Sequence, residues 1–289
     1  MKLRKIFIEK IISLTRYLSA HRKRNRKERS IGKVVIFYRI CDHGYPKDKP
    51  AYITKENCLR NAIKEFPTTK CEWHVIADNV CNDTYNMIIK YVSADNVERV
   101  SVGHGAGTFR MVYEKALGYN DNDLIYFLED DYLHLPNSLE CLISVAKHNI
   151  ADYMTLYDHP DKYGFRAQNP YIKDGGEKTK VFLTDNHHWK FTNSTTMTMA
   201  AFVDVLKRDK STWWRWTETK HPYDFQIFVD LHSFSNARLV SPIPSLSTHG
   251  EVISHILYKF PTCLKIRGVF QREAILPQHF HNNFNFCES

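Results

Sequence analysis

The stretch that most constrains this chain is residues 124–131, Leu-Ile-Tyr-Phe-Leu-Glu-Asp-Asp. Five apolar residues in a row read as a strand buried within a sheet. Three carboxylates follow at once, where that strand leaves the sheet. Carboxylates repel at close range, so clustering them is costly unless a cation sits among them. At the carboxyl edge of an α/β sheet, where such folds bind ligands, the triplet is expected to hold a hard divalent metal. A solvated acidic loop end is the plain alternative.

The segments before the triplet set its place. Residues 34–38 are apolar and largely β-branched or aromatic, as are residues 73–77, which end at Asp78. Residues 97–102 form a third apolar-rich run. Between them the spacing predicts helices over 54–65, with Thr54 as N-cap, over 83–91, capped by Asp83, and after the glycines 103, 105 and 107 up to Leu117. Strand and helix alternate with short links, which gives an α/β fold: a mostly parallel sheet flanked by helices. Beyond the triplet, Asn137 and Glu140 signal a helix start. Strands are expected at 152–157, 193–199 and 239–240, and helices at 202–207 and from Asp224 to Leu231. Residues 158–186 lose the pattern and read as a mobile loop or small hairpin over the cleft. Trp213, Trp214 and Trp216 read as loop residues that, with His187, His188 and Trp189, are positioned to line an acceptor cleft.

Charge divides the chain. Residues 1–30 hold eleven Lys/Arg and two Glu, a local +9 against +8 for the whole, so the remainder carries −1. Leu3, Phe7, Ile11, Leu14 and Leu18 share one helical face, and Glu9 and Lys10 interrupt any membrane-spanning run. A basic amphipathic N-terminal helix of this kind fits the anionic cytoplasmic face of a membrane. A solvated leader or a helix docked on a protein stays open. The neutral body argues against a nucleic-acid-binding core. Seven cysteines at wide spacing, with no Cys-x-x-Cys, argue for reduced thiols in a cytoplasmic setting rather than a zinc site or disulfide framework. The organisation expected is an arm over 1–30 and one catalytic domain over 31–289. That domain divides into a nucleotide-sugar half over 31–131, an acceptor half over 132–255 and a tail over 256–289.

The order of these features resembles a GT-A fold glycosyltransferase, similar to the family 2 group, over roughly residues 32–255. Glu129-Asp130-Asp131 stands in the setting of that family's Asp-x-Asp signature, without being a strict match. The resemblance implies a GT-A-like sheet, a nucleotide-sugar donor (UDP-linked), a Mn2+ or Mg2+ ion, and a glycan or lipid-linked acceptor. It implies roles residue by residue. Tyr38 and Arg39, after the first strand, would contact base and ribose. Asp78, at the end of the second, would accept the imide N–H of the base. Arg110, after the glycines, would approach the donor. On an extended strand end Glu129 and Asp131 share a face and Asp130 takes the other. Asp131 is the expected metal ligand, and Glu129 and Asp130 are left for the ribose side. His249, in Ser247-Thr248-His249-Gly250, would be a further metal ligand, and Asp224 the general base, with Glu218 its neighbour and competitor. Each has a plainer reading: helix cap for Asp78 and Asp224, surface arginine for Arg110, structural histidine for His249.

The function expected is metal-assisted transfer of a sugar from a nucleotide-sugar donor. A metal-dependent phosphodiesterase or nuclease is the alternative from another class, and a non-catalytic membrane-associated binding protein the third.

Overall fold

The computed structural model describes residues 27–44, 48–163, 169–172, 176–185 and 187–250. The amphipathic segment of residues 1–20, the basic residues up to 26 and everything beyond residue 250 lie outside the described residues. The first half alternates as the sequence predicts: β1 (Val34–Cys41), α1 (Lys55–Glu65), β2 (Glu72–Asp78), α2 (Asn82–Ile88), β3 (Val97–Val100), α3 (Gly105–Ala116) and β4 (Leu124–Glu129). Then come β5 (Tyr132–His134), α4 (Ser138–Lys147), β6 (Tyr153–Met154), β7 (Val181–Leu183), β8 (His188–Thr192), β9 (Met199–Phe202), α5 (Val203–Arg215), α6 (Asp224–Ser235), β10 (Leu239–Ile243) and β11 (Ser247–His249).

Nine strands form one sheet in the order β3-β2-β1-β4-β9-β6-β10-β8-β7, and β11 pairs with β5 in a separate ribbon. The pairings β3-β2-β1-β4 are parallel. Only β8 and β9 oppose the common strand direction. The strands β1 and β4 are buried along nearly their whole length because helices cover both faces. The expected mostly parallel α/β sheet flanked by helices is therefore present, and the acidic triplet follows its fourth strand.

Chain order runs outward from β1 to β3 and then returns to β4 on the other side of β1. The reversal opens a crevice at the carboxyl ends of β1 and β4, the place where open α/β sheets bind ligands. Arg39 and Glu129 are direct partners in the β1–β4 register, so two opposite charges meet at its floor.

Several local expectations change. Thr54 does cap α1, accepting from Asn57 N at 3.1 Å. The cap of α2 is Cys81 rather than Asp83, because Asp42 takes the Cys81 N–H at 2.7 Å and fixes the chain two residues earlier. Residues 193–199 are not one strand. Asn193 and Ser194 turn inward to accept from Lys162 Nζ at 2.8 and 2.6 Å, which breaks the alternation, and β9 starts only at Met199. Residues 158–186 contain a short 3-10 turn, Pro160–Lys162, and the first strand of the β7–β8 hairpin. Trp213 and Trp214 belong to α5, not a loop. Trp213 is fully buried among Phe109, Tyr113 and Tyr153, and Trp189 is equally buried, so neither lines a cleft. Arg29 lies on the body rather than on a free arm. Its guanidinium bonds Asp204 Oδ1 and Asp121 O, each at 2.8 Å, and stacks 3.7 Å from the Phe202 ring centroid.

Candidate active site

The crevice is built from three chain ends. The end of β1 supplies Arg39, which is only 6 % exposed. Its guanidinium donates to Glu129 Oε1 at 2.9 Å and to Gly105 O at 3.0 Å, tying β1, β4 and the start of α3 together. Glu129 stays partly exposed, with Thr198 Oγ1 near its second oxygen at 3.5 Å. Asp130 turns the other way and accepts the Cys41 N–H at 3.2 Å. Burial pushes the Asp130 carboxyl up to about 7, and the Asp131 charge adds to this, against the Cys41 N–H and the two lysines Lys49 and Lys55.

Asp131 lies where the chain turns from β4 into β5 and is 9 % exposed. The antiparallel β5–β11 ribbon sets His249 opposite Tyr132. His249 Nε2 lies 3.2 Å from Asp131 Oδ2, and its ring packs 4.9 Å from that of Tyr132. Gly250 permits this approach. Its N–H donates to Asp131 O at 2.8 Å, and a Cβ there would come within 2.5 Å of Ile53 and 3.0 Å of the Asp131 carbonyl. From the other side Lys49 Nζ reaches the same Asp131 Oδ2 at 3.0 Å. Burial alone would raise the Asp131 carboxyl. The His249 hydrogen bond and charge, then Lys49, outweigh it and hold it well below the usual range.

Asp224 opens α6, as its sequence context predicts, but as the first helical residue; its own carboxylate accepts the Phe225 N–H at 2.6 Å. Burial raises this carboxyl above its ordinary range. The Phe225 bond opposes that, the Glu129 charge adds to it, and His159 and Lys162 pull it back. The Glu129 charge thus acts across the crevice on Asp224. Behind Asp224 lies a buried polar cluster: Lys162 with Asn193, Ser194 and Asp161, and Lys190 with Asp158 at 3.0 Å and Glu177 at 3.3 Å. Sequence reasoning named none of these, and a lysine inside a segment without periodicity gives no signal that it is buried.

The remaining expected residues take other places. Asp78 is buried, and both its oxygens accept backbone N–H groups: Val102 at 2.7 Å and Gly103 at 2.9 and 3.1 Å. Gly103 sits at φ +77°, where a side chain would be strained. Asp78 thereby shapes the loop that leads to His104, the N-cap of α3. A base N–H would be a further partner of this carboxylate. Tyr38 is 0 % exposed and points away from Arg39, into the core against Trp73. Its hydroxyl is buried with no hydrogen-bond partner, and burial, then the charges of Cys58, Asp130 and Asp131, raise its ionisation well above the ordinary value. Arg110 bonds Trp214 O at 2.7 Å and Thr217 Oγ1 at 3.0 Å and lies over the Trp214 ring, which pins α3 to the end of α5. These bonds turn it to the end of α5 and not to the triplet.

Among the described residues no group of three or more His, Cys, Asp or Glu gathers as a closed metal cage. Asp131 Oδ2, from the turn after β4, and His249 Nε2, from β11, do lie 3.2 Å apart. One carboxylate and one imidazole fit a hard divalent ion that takes its other ligands from water and phosphate oxygens. Among the described residues no helix is long and apolar enough to cross a membrane.

No family model matches the sequence, and no curated protein matches it. Solved structures similar to the chain include a galactosyltransferase, LgtC, in complex with donor and acceptor sugar analogs. It is 11 % identical, with 84 % of this chain and 98 % of that one covered, at a TM-score of 0.44. The S. aureus protein TarS is 14 % identical, with 84 % of this chain and 39 % of that one covered, at 0.47. A nucleotidyl transferase from Methanothermobacter thermautotroptrophicus is 10 % identical over 83 % and 99 %, at 0.41. At such identities and scores these likenesses carry no argument about chemistry.

Proposed function

We propose that this chain is a nucleotide-sugar-dependent glycosyltransferase that moves a sugar from a donor, UDP-linked in the leading case, to a hydroxyl of a glycan or lipid-linked acceptor. One observation carries the reading. At the carboxyl ends of β1 and β4 the Arg39–Glu129 pair, with Glu129 partly exposed, stands two residues before Asp131 and its His249 partner, and the Glu129 charge helps raise the Asp224 carboxyl.

In this reading Asp131 and His249 hold Mn2+ or Mg2+. The ion, when bound, neutralises negative charge on the departing nucleoside diphosphate. Of the two residues left for the ribose side, Glu129 takes that place, since Asp130 turns away to the Cys41 N–H, and Arg39 locks Glu129 from below. Asp78 keeps the loop before α3 in the shape that receives the base. Asp224 takes the proton of the acceptor hydroxyl as it attacks the anomeric carbon. A carboxyl raised by burial is a better proton acceptor near neutral pH than an ordinary one. Arg110 and Tyr38 support the site through packing. The arm over residues 1–30 is proposed to hold the enzyme at the anionic cytoplasmic face of a membrane.

Asp224→Asn tests the assignment. Turnover with a UDP-sugar and an acceptor glycan should fall by roughly 10²–10⁴-fold, the range for losing a general base, while UDP binding by calorimetry stays within about twofold. Transfer at the wild-type rate by this variant would remove Asp224 from the chemistry.

A further inference from the structure

Asp131 is shared between two partners, a lysine and a histidine. Its Oδ2 accepts from Lys49 Nζ at 3.0 Å and lies 3.2 Å from His249 Nε2. The two come from opposite sides: His249 from β11, Lys49 from the loop between β1 and α1. The contact is sheltered, with side-chain exposures of 31 % for Lys49 and 12 % for Asp131. A lysine ammonium is charged at neutral pH, and Asp131 supplies its counter-charge at 3.0 Å.

An ammonium on the oxygen expected to ligate a metal is a competitor. A divalent ion on Asp131 Oδ2 and an ammonium at 3 Å from the same atom would repel strongly, because little water separates them. His249 cannot move far, since Gly250 is clamped to the Asp131 carbonyl. Lys49 has a flexible four-carbon stem, held among the described residues by its hydrogen bond to Asp131. Of the two partners, Lys49 is the one that can leave.

We infer that Lys49 is the resident counter-ion of Asp131 and that a divalent cation enters this site only by displacing its ammonium. The inference rests on the proposed reading that Asp131 and His249 hold that cation. It adds a consequence. The displaced ammonium needs a new anionic partner, and a nucleoside diphosphate supplies one. Metal and nucleotide therefore bind cooperatively, each favouring the other by the same factor. Free metal alone binds weakly, because the ion pair must first be broken.

The test is Mn2+ binding followed by electron paramagnetic resonance, first without nucleotide and then with UDP. Wild type, Lys49→Met, Lys49→Arg and Asp131→Asn are compared, each checked for a wild-type thermal transition. Without UDP, Lys49→Met should bind Mn2+ on the order of tenfold more tightly than wild type, and Lys49→Arg should behave as wild type. The gain in Mn2+ affinity on adding UDP should shrink in Lys49→Met. If Lys49→Met does not fold, Lys49→Gln, which keeps a polar head without the charge, should show the same tightening. Equal or weaker Mn2+ binding in the uncharged variants, with wild type and Asp131→Asn still distinct, would overturn the role of Lys49 alone. Absence of Mn2+ binding in all four proteins, with and without UDP, would overturn the metal reading beneath it.

Discussion

Asp78 offers a prediction whose size follows from geometry. Its carboxylate accepts the Val102 N–H at 2.7 Å and the Gly103 N–H at 2.9 Å, inside a site 5 % exposed. Both are backbone donors of a loop that Gly103 bends at φ +77°. In Asp78→Asn one oxygen survives, and an amide NH2 takes the place of the other. The Gly103 N–H then faces the NH2 and keeps only its longer 3.1 Å contact to the remaining oxygen, and the surviving bonds lose their charge assistance. Leaving a buried N–H unpaired costs about 1–3 kcal/mol, and charged hydrogen bonds are worth roughly twice neutral ones. The expected loss is therefore about 2–4 kcal/mol. Urea unfolding at pH 7 should show a lower midpoint with an unchanged slope. Amide exchange at Val102 and Gly103 should accelerate before that of β1. A loss below about 0.5 kcal/mol, the range of ordinary surface substitutions, with unchanged exchange at both amides, would refute the reasoning.

His134 is fully buried with Nε2 on Tyr126 Oη at 2.8 Å, and burial pushes it from 6.5 down to about 3. Its folded form resists protonation that the unfolded chain accepts, so stability is full above 6.5 and declines as pH falls from 6.5 towards 3. Chemical denaturation at pH 7, 6 and 5 should show a loss of up to about 1.4 kcal/mol per pH unit from this group, and His134→Gln should flatten that slope; identical slopes would contradict it. For the arm, vesicles with anionic lipid should sediment the full chain and leave behind a variant lacking residues 1–26, the deletion sparing the docked Arg29. Equal sedimentation of both would remove the membrane assignment.

What was legible in the sequence is the part governed by local pattern. The run before Glu129 had to be a strand, Thr54 had to cap a helix, and a helix had to begin at Asp224, because periodicity and capping act over a few residues. The order of Asp78, the triplet, Asp224 and His249 along the chain was equally readable. Pairing across the sheet was not. Arg39 meets Glu129 because β1 and β4 are in a particular register, which no local signal fixes. The strict alternation of a strand sends Tyr38 to the opposite side from Arg39, so the two neighbours named together serve different places. Asp78 was expected to face a base and spends its oxygens on its own loop; Arg110 was expected near the donor and holds α5 instead. Lys49 sits in a polar loop between Asp48 and Pro50, where one more lysine carries no mark of its partner. The aromatic residues mislead for a related reason: Trp213 reads as a loop residue but lies in α5, and Trp189 lies in β8, and both fill the core.

The central claim is that the crevice at the ends of β1 and β4 binds a nucleoside diphosphate through a cation held on Asp131. Calorimetric titration of UDP into the wild type and Asp131→Ala, each with and without Mn2+, tests it most directly. The account predicts UDP binding by the wild type that requires Mn2+ and is lost in Asp131→Ala. UDP binding that is indifferent to both Mn2+ and the substitution would contradict it.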